Sequence, residues 1–272
     1  MRRVLSFAVA LAAVLPAGCT ALSARPDTPA AKVTFAELNA RPTPRGERYY
    51  GMVFGAQSHP KLARFTHSWV TVVKVPAGGV PEAHTISWMP ATLNIRTLRP
   101  CVEPGVNLDL HASIVDCLRK CERVSLWGPY EIPPGLYRKV LLQKEFIDSG
   151  AVGYQCIDTI GEAGLHGNGN NCIHAITDAD AMYDRQAYPL AFFGDAASEN
   201  LLNQVVARGG VPDPTTTHDW LIPALKLDQY PIVRRAYTGP PPGGAGSPDY
   251  LALPTWPAEA KEALKESAGK GP

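Results

Sequence analysis

His67–Val75 reads HSWVTVVKV, a run rich in β-branched and aromatic residues that alternate at period two. That pattern predicts a strand with His67, Trp69, Thr71 and Val73 on one face. Pro76-Ala77-Gly78-Gly79 follows as a turn, and His84–Met89 (HTISWM) predicts a second strand. With the turn centred on Gly78-Gly79, His67 lies opposite Pro90 and His84 opposite Val73. His84 is then roughly 20 Å from His67, at about 3.3 Å per residue.

Further out, Asn107–Arg123 places Leu110, Ile114, Cys117, Leu118 and Cys121 on one helical stripe, with Asn107 as the N-cap. Leu136–Ile147 predicts a second helix, stopped by Ser149-Gly150. Ala151–Asp158 (AVGYQCID) predicts a third strand, on which Cys156 alternates with Val152 and Tyr154 as a core or disulfide residue. Ala197–Arg208 predicts a further helix, with Leu201, Leu202, Val205 and Val206 inward and Gly209 as the stop.

Upstream, the chain opens MRRVLSFAVALAAVLPAGCT. Arg2-Arg3 precede an apolar run, Val4–Leu15, that is too short to span a bilayer. Ala17-Gly18 then precede Cys19. This stretch resembles the lipobox of bacterial lipoproteins, with Pro16 where leucine is usual, and implies lipid on Cys19. The expected organisation is a signal peptide over 1–18, a tether over 19–48, one domain over 49–238, and a Pro/Gly-rich linker with a short helix over 239–272. Such a protein is exported and held at the periplasmic face of a membrane or at the cell surface.

Formal net charge is +1 with 19% charged residues, which gives no electrostatic footprint for nucleic acid. Six cysteines are present: Cys19, Cys101, Cys117, Cys121, Cys156 and Cys172. An oxidising compartment allows up to two disulfides among Cys101, Cys117, Cys121 and Cys156, with the pairing open. The histidines lack the paired spacing of a zinc site.

The chemistry is concentrated in Gly167–Ala175, GNGNNCIHA. Asn170 or Asn171 is placed to cap a helix whose first turn carries Cys172. The positive end of that helix favours the thiolate, and a free backbone N–H can donate to an oxyanion. His67, at a strand end, is the candidate base. His174, two residues beyond Cys172, points away from it and reads as structural.

A strand-start His-x-Trp, a following strand, and a distal Asn-Cys-Ile-His at a helix start resemble the circularly permuted papain-like hydrolases. That superfamily branch includes cell-wall peptidases of the NlpC type and lecithin–retinol acyltransferase. The resemblance covers about His67–Asp178. It implies an α+β domain in which an antiparallel sheet packs against a cysteine-bearing helix. It also implies cleavage or transfer of amide or ester bonds by Cys172, activated by His67, with no cofactor or metal. Peptidoglycan peptides and lipid or acylated substrates are the two expected substrate classes. The family also implies a polar residue that orients the histidine; His84, Thr92 and Asn94 are the candidates, the first disfavoured by register. The alternatives are a non-catalytic envelope binding module, with Trp69, Trp88 and Trp127 along a ligand groove, and a structural protein in which Cys172 is bonded, for instance to Cys156.

Overall fold

The computed structural model describes residues 26–120, 123–180 and 193–239. The signal segment, Cys19, Cys121 and the C-terminal segment from 240 lie outside the described residues. In chain order the elements are α1 (Pro29–Lys32), α2 (Phe35–Ala40), β1 (Arg48–Gln57), β2 (Thr66–Val75), β3 (Glu82–Ile86), β4 (Trp88–Pro90), β5 (Gly105–Asn107), α3 (Leu110–Lys120), β6 (Arg123–Glu131), α4 (Pro134–Asp148), β7 (Gly153–Tyr154), α5 (Gly161–His166), β8 (Gly169–Asn170), α6 (His174–Thr177), α7 (Asp195–Ala207), α8 (Leu221–Ala224) and β9 (Ile232–Arg235). Among the described residues no helix is long and apolar enough to cross a membrane.

The fold is α+β. Its main sheet runs β3-β2-β1-β6-β9. Four strands are antiparallel, but β9 joins β6 in parallel, so the sheet is mixed and not antiparallel throughout. Alternation along β1 and β2 sends side chains to two cores. On one face Val53, Val70, Val72 and Trp127 pack with Tyr137 and Val140 of α4 and Leu201 and Leu202 of α7. On the other, Met52, Phe54, Trp69, Val73 and Leu126 meet Leu110, Ile114, Cys117 and Leu118 of α3, the stripe read from the sequence. Trp69, Trp88 and Trp127 are all buried core residues, which leaves no tryptophan groove.

Three local expectations change. Asn107 sits in β5, and Asp109 caps α3 by accepting from Ala112 N at 2.8 Å. The strand expected over Ala151–Asp158 shrinks to Gly153–Tyr154, which pairs in parallel with Gly169–Asn170. The segment read as a tether instead carries α1 and α2, docked on α4. Leu38 is fully buried, Arg138 donates to the carbonyls of Leu38, Arg41 and Pro42, and Lys139 donates to Val33 O at 2.9 Å. Thr28 Oγ1 donates to Asp178 O at 2.9 Å. Two side chains hold these short helices: Thr28 accepts from Ala31 N, and Thr34 forms a capping box with Glu37.

Candidate active site

The site forms where β3 leaves the sheet. β2 and β3 pair from Lys74↔Glu82 to Val70↔Ile86, and His84 lies opposite Val72, one residue off the expected register. Beyond Ile86 the chain bends into β4, which pairs with β5. The start of β2, Thr66–Trp69, therefore loses its neighbour on that side. The resulting cavity, about 240 Å³, is lined by His67 and Ser68 of β2, by Tyr154, Cys156 and Cys172, and by Ile95, Thr97, Phe193 and Ala197 among others. His67 and Cys172, 105 positions apart, thus face one space.

The bend also supplies a partner for the histidine. Ser87 Oγ lies 2.8 Å from His67 Nε2. Ser87 is fixed in turn, its N–H donating to Asn107 Oδ1 at 2.7 Å, while Asn107 Nδ2 donates to Thr85 O at 3.1 Å. The ring rests on Trp69, with centroids 5.4 Å apart, and Trp69 stacks on Phe54. His67 is 3% exposed, and its Nδ1 has no hydrogen-bond partner. The hydrogen-bond partner of the His67 ring is thus Ser87, and not His84, Thr92 or Asn94.

Cys172 is delivered by a polar knot. Asn171 Oδ1 accepts from Ile173 N and His174 N, at 2.9 and 2.8 Å, which caps the turn. The buried Asp158 accepts from Asn171 N at 2.8 Å and lies 2.7 Å from His174 Nδ1. His174 is thus buried and held to Asp158. Gly169 permits close packing of this loop, because a Cβ there would meet Val102 Cγ2 at 2.8 Å. The far wall depends on Gly55. A Cβ there would lie 2.8 Å from both Asp195 Oδ1 and Ser198 Oγ, so only glycine lets the start of α7 close on β1. That approach is locked by Asp195, which is buried with Arg123 Nη2 at 2.5 Å and Ser125 Oγ at 2.8 Å.

The electrostatics differ from the expectation. α6 is a single turn, so its dipole does little for the sulfur. Burial pushes the Cys172 thiol up to about 12, although the backbone N–H groups of Ser68 and Cys172 favour its anion. The Ser68 donor belongs to the stretch of β2 that β3 leaves uncovered. Burial, with the charge of Lys120 adding to it, pushes His67 down to about 3. The resting pair is a neutral thiol and a neutral imidazole, and no hydrogen bond joins them. Cys156 is likewise pushed up to about 11 by burial, and it hydrogen-bonds to Tyr154 and Thr97. Cys101, Cys156 and Cys172 are free thiols, so no disulfide joins Cys101 to Cys156 and Cys172 is not linked to Cys156.

Cys156, read from the sequence as a core or disulfide residue, lines the cavity, and Tyr154 lines it too. Tyr154 ends the two-residue strand β7, and Cys156 lies in the turn beyond it. Among the described residues no group of three His, Cys, Asp or Glu could hold a metal ion. No family model matches the chain, and neither a curated protein nor a solved structure matches it.

Proposed function

We propose that this chain is a thiol hydrolase or acyltransferase of the permuted papain-like type, with Cys172 as nucleophile and His67 as base. One observation carries the reading. His67, held at Nε2 by Ser87 and without a hydrogen-bond partner at Nδ1, lines the same cavity as Cys172. Because both groups rest neutral, the thiol loses its proton to His67 as sulfur adds to the carbonyl carbon. The C–O or C–N bond of the tetrahedral adduct then breaks, and the leaving group takes that proton. Water cleaves the thioester, with His67 accepting one of its protons and returning one to sulfur. The N–H groups of Ser68 and Cys172 are the donors available to the oxyanion. The chain is further proposed to be exported and anchored by lipid at Cys19.

A second reading, a non-catalytic binding module, is favoured by the missing hydrogen bond between sulfur and imidazole. The two separate in one experiment. Incubation with small activated esters and thioesters, followed by mass spectrometry of the intact chain, should trap an acyl group on Cys172. Turnover should vanish in Cys172→Ser and fall by about 10²-fold or more in His67→Ala, with an unchanged circular dichroism spectrum. Turnover that persists in Cys172→Ser removes the hydrolase reading.

A further inference from the structure

The cavity around Cys172 has a selective chemistry. Its described lining offers aliphatic and aromatic groups (Ile95, Ile157, Ile173, Phe193), hydroxyls and an amide, but no Asp, Glu, Lys or Arg. The nearby charges are engaged elsewhere. Asp158 is tied to Asn171 and His174, and Lys61 lies over the Phe193 ring without lining the cavity. At about 240 Å³ the space is also smaller than the range of roughly 300 Å³ and above that drug-sized ligands occupy. A carboxylate or ammonium brought here would lose its water and meet no side chain of opposite charge among the described lining residues. His67 cannot supply one, because the same burial keeps it neutral.

From this we infer that the Cys172 site takes a short, uncharged acyl group and excludes acyl groups that carry a carboxylate or an ammonium. The inference rests on the hydrolase reading for the word acyl, but the exclusion of charge belongs to the cavity itself. It divides the two substrate classes raised by the sequence. A peptide whose acyl side carries an ionised carboxylate is disfavoured, and a small neutral ester or amide is favoured.

Alkylation tests the cavity without requiring turnover. Rates at Cys172 are measured by peptide mapping with iodoacetamide, which is neutral, and iodoacetate, which is anionic; each loses iodide to the sulfur. The same two rates are measured on N-acetylcysteine. The amide-to-acetate ratio at Cys172 should exceed that of the free thiol at least tenfold. Thr97→Lys, which puts a cation into the lining, should bring the ratio back toward the free-thiol value. In parallel, acetyl and butyryl p-nitrophenyl esters should be cleaved at least tenfold faster than the succinyl or glycyl esters, and faster than the dodecanoyl ester. A Cys172 ratio equal to that of the free thiol overturns the inference, as does Cys172-dependent turnover that prefers charged or long acyl groups. A raised ratio with no ester cleaved removes the hydrolase reading and leaves the exclusion of charge standing.

Discussion

Ser87 Oγ and His67 Nε2 stand 2.8 Å apart, although Ser87 belongs to neither strand of the hairpin that carries His67. The contact exists because β3 ends at Ile86 and Asn107 takes over the backbone of the next residue. Ser87→Ala should leave the imidazole unpartnered at both nitrogens. The expected cost is about 1–3 kcal/mol in urea denaturation, with Cys172-dependent turnover down by about tenfold or more. Ser87→Thr should restore the turnover, an outcome that a packing role alone would not give.

A buried histidine held well below its ordinary value makes the fold sensitive to acid. Its folded value is about 3, so below about 6.5 the unfolded chain binds the proton and the folded one does not. Stability contributed by His67 is complete above about 6.5 and declines as pH falls toward 3. The decline is at most about 1.4 kcal/mol per pH unit for one proton. Urea midpoints between pH 7 and 4 should fall less steeply in His67→Gln than in the unsubstituted chain.

Arg123 and Asp195, both buried, join β6 to the first turn of α7. Asp195→Ala should destabilise the chain by about 3–5 kcal/mol, because it removes the carboxylate paired with a buried guanidinium. The double variant Arg123→Met/Asp195→Leu should recover much of that loss. Equal denaturation midpoints for Asp195→Ala and the unsubstituted chain would contradict this account.

Leu38→Ala should cost about 2–5 kcal/mol, as at other fully buried leucines. Limited proteolysis should then cut between α2 and β1, where the unsubstituted chain resists.

The strand that carries His67 and the capped turn that carries Cys172 are legible because each depends on a local signal. β2 alternates strongly enough to fix the face of His67, and GNGNNCIHA contains its own cap. α3 was legible from its stripe. What escaped depended on contacts between distant segments. Ser87 could be found only by knowing that the side chain of Asn107 would bend the second strand. β9 is four residues, IVRR, and becomes a strand only because the edge of β6 is open to it. The α1–α2 segment did carry a signal, Thr34-Phe35-Ala36-Glu37, which is the spacing of a capping box. Its Ala- and Pro-rich surroundings outweighed it. The thiol's protonation escapes the sequence for a different reason: burial sets it, and Cys172 lies just before a helix of a single turn.

With lipid on Cys19, as proposed, the docking of Thr28 on Asp178 would set the length of the leash. A flexible link from Cys19 to Tyr49 would let the domain wander about 100 Å from an anchoring bilayer, at about 3.3–3.6 Å per residue. With Thr28 fixed, only nine steps of chain remain, a reach of about 30 Å. Lipid on Cys19 would hold the body close above the headgroups, so its targets would have to come to the membrane surface.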